Sequence, residues 1–230
     1  MRLRHYRIVY LPVNWKLGAK KLKSASIITK IIVTSLFVLL GFAILVITHE
    51  LGHALGAKIV GNNVNFIHIW PGYELFPNIG QQVTYEWTKS ALAIIQTSVE
   101  IDAKSQLFGT GVFLSERVAT SIIQFMGSGI TWLISIIFLV LMHFFRPKGV
   151  LLSISIIGAL FYIDILSYSI FPYFFDLPHL IFIGGKYAEP VLALSSLGIN
   201  GNVAATIIIF WCSIQTLILA KVLIGNRSSE

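Results

Sequence analysis

Four apolar runs, each close to the length of one bilayer crossing, dominate the chain. A helix needs about 20 residues to cross a hydrocarbon core roughly 30 Å thick. The runs cover 31–48, 119–145, 150–171 and 203–224, and the first is expected to continue as helix to about Val60. Inside lipid every backbone N–H and C=O must find a partner within the protein, so such runs are expected as helices. Only 12% of the 230 residues are charged, against about 25% in a water-soluble domain. So few charges cannot cover a water-facing surface, and lipid must be the main solvent. The expected fold is an α-helical multi-spanning membrane protein with about four transmembrane helices. The length fits one domain. A basic segment over 1–30 precedes a single transmembrane domain over 31–225.

Three connections depart from this pattern. Residues 61–90 mix turn formers, among them Asn62, Asn63, Pro71, Gly72 and Pro77, with Val, Ile, Phe, Tyr and Trp. That alternation predicts a small β element of short strands and turns. Residues 89–117 are more polar, and an interfacial helix followed by a loop around Gly109-Thr110-Gly111 is expected there. Residues 176–200 are apolar but interrupted by Gly184-Gly185 and Pro190. They predict a partly re-entrant segment, tolerable only where protein or a water cavity satisfies its backbone.

The net charge of +7 would suit nucleic acid, but its distribution does not. Eight of the 17 Lys and Arg residues lie between Arg2 and Lys30, just ahead of the first apolar run. A basic cluster there reads as a cytoplasmic anchor beside anionic lipid headgroups, and no nucleic-acid-reading motif accompanies it. Because it lacks a short apolar core ending in a small-residue cleavage site, this segment is expected to stay on the protein. The basic turn Arg146-Pro147-Lys148 and the C-terminal Lys221 and Arg227 would join it in the cytoplasm if there are four spans. Residues 61–117 would then face the other side. Cys212 is the single cysteine, so an internal disulfide is excluded.

Near the end of the first run stands His49-Glu50-Leu51-Gly52-His53, an H-E-x-x-H sequence. Residues four apart share one helix face, so both imidazoles can grip one ion. Zinc lowers the pKa of bound water to about 7, and Glu50 lies where it could take that water's proton. Three ionisable groups at membrane depth are costly unless paired or metal-bound. A catalytic zinc has three protein ligands and one open position. His49 and His53 lie late in the first span, and Asp176 follows the third span, which runs in the same direction. Asp176 therefore arrives at a similar depth and is the expected third ligand. Asp164, in mid-span, is the alternative ligand, a hydrogen-bond partner to a ligating imidazole, or a cavity group. His179 could share a face with Asp176, or be a hydrogen-bonded interfacial histidine. His143 falls near the cytoplasmic end of the second span and is expected at the interface.

His49-Glu50-Leu51-Gly52-His53-Ala54 inside the first span resembles the site-2 protease family of intramembrane zinc metalloproteases, in particular its small, divergent bacterial and archaeal branch. That family has a downstream motif of the type N-x-x-P-x-x-x-x-D-G, whose aspartate is a zinc ligand. Here Tyr168-Ser169-Ile170-Phe171-Pro172-Tyr173-Phe174-Phe175-Asp176-Leu177 has the proline just before Asp176, without the asparagine and the final glycine. Gly127-Ser128-Gly129-Ile130-Thr131 is similar to the family's G-P-x-x-N motif in the second span, with serine and threonine replacing proline and asparagine. Close helix packing explains Gly127 and Gly129 equally well. The resemblance spans roughly 30–200. It implies a Zn²⁺-dependent endopeptidase in a prokaryotic cell membrane, cutting membrane proteins or membrane-bound peptides in or near their transmembrane segments. Residues 61–90 would then border the route to the metal and could pair with an unfolded substrate strand. Two rivals stand beside this reading. One is a membrane zinc hydrolase acting on lipidated or exported peptides. The other is a non-proteolytic metal-binding membrane protein, either a scaffold, which would not need Glu50, or a transporter, which would more often show related halves.

Overall fold

A computed structural model of the chain describes residues 27–84, 87, 91–98, 105–181 and 184–227. The basic residues from Arg2 to Lys23, and Glu100, Asp102 and Lys104, lie outside them. The described chain runs α1 (Ile27–Ile59), β1 (Asn63–Ile69), β2 (Tyr73–Phe76), β3 (Ala93–Ser98), α2 (Glu116–Phe145), α3 (Val150–Ala159), α4 (Tyr162–Phe175), α5 (Glu189–Ser196) and α6 (Gly201–Arg227). It divides into two compact units, 1–38 and 39–230. The site residues all lie in the second.

Among the described residues, four helical stretches are long and apolar enough to cross a bilayer: α1, α2, α3 with α4, and α6. The expected multi-spanning helical fold with a small β element is therefore present. α1 is 33 residues long, about 50 Å at 1.5 Å per residue, so it outreaches the hydrocarbon core and carries His49 and His53 near its far end. It stops in a Schellman motif. Asn62 N–H bonds the carbonyl of Ala57 at 2.8 Å and Gly61 N–H that of Lys58 at 3.2 Å, with Gly61 at φ +77°, where a side chain would be strained. α2 starts at Ser115, whose hydroxyl accepts from Val118 N–H, and ends at Arg146 in a left-handed conformation before Pro147.

The third span differs from its expected form. It is two helices, α3 and α4, broken at 160–161, and it runs past Pro172 to Phe175. The break exposes the Ala159 carbonyl, which accepts from Ser135 Oγ at 2.6 Å. A helix broken at membrane depth survives when a neighbouring helix supplies such a partner. Ser135 also bonds Gln215, whose Oε1 accepts from Trp132 Nε1 at 2.9 Å, tying α6 and the α3–α4 break to α2. α2 packs against α3, α4, α5 and α6 and forms the centre of the bundle.

The β element is a three-stranded antiparallel sheet in the order β2-β1-β3. β3 lies where an interfacial helix was expected. Its Ala-Ile-Ile-Gln-Thr-Ser sequence is rich in β-branched residues and pairs along the full length of β1, so β propensity and pairing override that expectation. The loop around Gly109 is present, with a single 3₁₀ turn at Leu107–Gly109. Within 176–200 the described residues include the eight-residue α5, packed on α2, α4 and α6; entry of this segment into the bilayer stays an expectation.

Candidate metal centre

His49 and His53 stand one turn apart on α1 and are both buried. A Cβ at Gly52 would collide with the α2 backbone at Met126 and Gly127, and one at Gly56 would crowd Ile123 and Met126. This small-xxx-small pair lets α1 lie directly on α2. Gly127 of α2 faces the imidazoles themselves. Its added Cβ would overlap the His53 ring and lie 2.8 Å from His49 Nε2. Gly127 thus serves more than helix packing: it makes the space in which the two rings converge. Gly127→Ala is expected to overpack the site at a cost of about 1–3 kcal/mol and to lower zinc content, measured by thermal melting and metal analysis. Normal zinc loading in a fully stable variant would contradict this.

Each imidazole is fixed through its Nδ1. His49 Nδ1 lies 2.8 Å from Asp164 Oδ2, and Thr131 Oγ1 donates to the same oxygen at 2.8 Å. His53 Nδ1 donates to the Ile123 carbonyl at 2.7 Å. With Nδ1–H committed in both rings, both Nε2 atoms carry lone pairs, the state that binds a metal. The two Nε2 atoms are 3.0 Å apart.

The third group at this point is Glu189. Its Oε2 lies 3.4 Å from His49 Nε2 and 3.2 Å from His53 Nε2, and these three residues form a group able to hold a metal ion. Yet Glu189 Oε2 is buried without a hydrogen bond. Two lone pairs and a carboxylate oxygen facing one another repel unless a cation lies between them. A tetrahedral zinc with bonds of about 2.0–2.1 Å has ligand–ligand edges of about 3.3–3.4 Å, close to all three separations. The donor set of two imidazoles and a carboxylate fits zinc chemistry and leaves one position open.

Glu50 is also buried and, with both histidines, Asp164 and Glu189, lines a cavity of about 760 Å³. The β3 residues Ala93, Ile94 and Ile95 form part of its wall. Asp164 stands beside the site as the partner of His49. Asp176 is placed elsewhere. It caps α4 in a left-handed conformation, its side chain is 87% exposed, and it pairs with Lys186 at 3.2 Å. Its depth along the third span is of little use, because the cap turns the side chain away. The chain then passes through 177–188 and delivers Glu189 at the first position of α5. His179 lines the cavity but does not belong to the three-residue group, and His143 packs on Phe144 near the end of α2. The sequence did carry a signal for Glu189: a lone acidic residue in an apolar stretch, followed by Pro190 as at a helix start.

The profile of peptidase family M50 matches residues 37–229. The chain belongs to peptidase family M50. It is a site-2 protease family member and carries a membrane metallopeptidase domain. No curated protein and no solved structure matches it. The matched region takes in α1 from Phe37 onward, the sheet and every later helix, so the converging His49, His53 and Glu189 all lie within the M50 domain.

Proposed function

We propose that this M50 chain is a zinc-dependent intramembrane endopeptidase that hydrolyses peptide bonds in or near the transmembrane segments of membrane proteins or membrane-bound peptides. The observation that carries the reading is the convergence of His49 Nε2, His53 Nε2 and Glu189 Oε2 beside Glu50 in a cavity walled by membrane helices. His49, His53 and Glu189 would hold the metal, with Glu189 in the place expected of Asp176. Bound zinc supplies a Lewis acid and a water acidic enough to lose a proton near neutral pH. Glu50, in the same cavity, would serve as the general base that takes a proton from the attacking water and returns it to the departing amine nitrogen. Asp164, held by Thr131, fixes the tautomer and orientation of His49.

The substrate must arrive extended, because a helix hides its carbonyls. Among the described residues β3 pairs with β1 alone and its residues border the cavity, so its other edge suits strand addition by a substrate segment. In this reading β3, beyond the 61–90 segment first expected to do so, receives the substrate. Cleavage is tested by incubating zinc-loaded protein in lipid nanodiscs with a panel of transmembrane peptides and locating cuts by mass spectrometry. Cuts within or beside the apolar stretch, abolished by chelation, support the reading. Zinc uptake into liposomes without any cleavage would support a transporter in its place.

The orientation follows from the basic segments. The N-terminus, the Arg146–Lys148 turn and the C-terminus are cytoplasmic, in a prokaryotic cell membrane, and 61–117 is on the other side. After replacement of Cys212, a membrane-impermeant thiol reagent should label Ile79→Cys on intact cells and Lys148→Cys only after lysis. Both positions are exposed. Labelling of Lys148→Cys from outside would reverse the assignment.

A further inference from the structure

His179 is more tightly fixed than a loop histidine needs to be. Its backbone N–H and its Nδ1 both reach the Gly185 carbonyl, at 3.1 and 3.0 Å. A Cβ at Gly184 would overlap the imidazole, and Gly184 sits at φ +101°, so glycine is required there both for space and for conformation. One face of the ring stacks on Tyr168 at 3.8 Å and 17°, and Tyr168 stacks in turn on His49 at 4.4 Å and 21°. Three rings thus lie in file from the metal centre outward. His179 and Tyr168 line the same cavity as Glu50 and Glu189.

With Nδ1–H given to Gly185, the neutral ring leaves Nε2 as an acceptor. Burial lowers the His179 pKa and favours that neutral form. No hydrogen bond from the described residues engages Nε2. An apolar cavity that receives an extended peptide must meet its backbone N–H groups, since each one left bare costs free energy. The free edge of β3 offers carbonyls to one side of such a chain, and the N–H groups that point away from β3 need acceptors on the opposite wall.

We propose that His179 is a substrate-binding residue whose Nε2 accepts a hydrogen bond from a backbone N–H of the substrate, at a subsite two ring layers from the metal. An extended chain advances about 3.3–3.6 Å per residue, so this subsite lies about two residues from the bond to be cut. The role rests on the proteolytic reading of the site and adds to it the recognition of main chain in a position where side-chain identity is not read. Tyr168 acts as the spacer that holds His179 at this distance from His49.

The test measures binding and needs no turnover. Zinc-loaded Glu50→Gln protein in nanodiscs is titrated with a synthetic peptide of about 20 Leu and Ala residues around a central Asn-Pro pair that loosens the helix. Companion peptides replace one central amide at a time by an ester, which removes a single N–H with little change of shape. One ester position should weaken binding by about 3- to 10-fold. That position-specific loss should vanish when His179→Phe is added, since Phe keeps the stack on Tyr168 and removes both nitrogens. It should return in part in His179→Gln, whose amide restores an acceptor. Zinc content verifies that each variant keeps its metal centre. Ester penalties that are the same with His, Phe and Gln at 179 would overturn the subsite while leaving the peptidase reading in place. Failure of Glu50→Gln protein to bind any of the peptides would overturn both.

Discussion

Glu50→Gln should keep its zinc and its fold and lose peptide hydrolysis by at least about 100-fold. The amide preserves the size and shape of the carboxylate, so neither the packing of α1 on α2 nor the His49, His53 and Glu189 cluster is disturbed. What it lacks is an oxygen basic enough to hold the proton taken from water. General-base catalysis contributes typically about 10²–10⁴-fold, and a 100-fold loss corresponds to about 2.7 kcal/mol of transition-state stabilisation. The measurement is a peptide cleavage rate with metal analysis on the same preparation. Full activity in Glu50→Gln would move the base to another cavity carboxylate, with Asp164 the first to be examined because it too lines the cavity.

Glu189→Ala and Asp176→Ala should separate cleanly in zinc affinity. Removing Glu189 takes away one of three ligand atoms and leaves two imidazoles to hold the ion, so zinc binding should fall by more than about 100-fold. That is beyond the 10- to 100-fold cost of losing a partner one step removed from the metal. Asp164→Asn belongs to the latter class, since it alters the group that orients His49 and leaves the ligands in place. Asp176→Ala removes an exposed ion pair with Lys186, of a kind worth about 0–1 kcal/mol, and should leave zinc binding unchanged. A strong loss in Asp176→Ala with none in Glu189→Ala would restore the ligand set expected from the third-span motif.

The spans and the convergence of His49 and His53 were legible because both depend on local rules. Lipid demands long apolar helices, and those runs stand out in any reading. The spacing of His49 and His53 is a property of one helix, so their convergence needs no knowledge of the rest of the fold. The third member of the His49–His53–Glu189 group depends on a path. Depth along the third span placed Asp176 level with the histidines, but depth does not fix direction, and the left-handed cap at Asp176 turns its side chain outward. Glu189 reaches the histidines from the first position of α5, and nothing periodic in the sequence before α5 marks that placement. β3 was hidden for a different reason. A six-residue segment such as Ala93–Ser98, half apolar and half polar, fits a strand or a helix equally well until a neighbour supplies hydrogen bonds, and β1 is that neighbour. Asp164 was open to three roles in the sequence, and its 2.8 Å approach to His49 Nδ1 favours the partner role.

Zinc stoichiometry of the purified protein tests the central claim most directly. Wild-type protein, prepared without added chelator and measured by elemental analysis, should carry about one zinc per chain. His53→Ala should carry almost none, because only Nε2 of His49 and Oε2 of Glu189 would remain. One zinc per chain in wild type together with its loss in His53→Ala is the predicted result. Undiminished zinc in both His49→Ala and His53→Ala would contradict the metal centre, and with it the peptidase mechanism built on it.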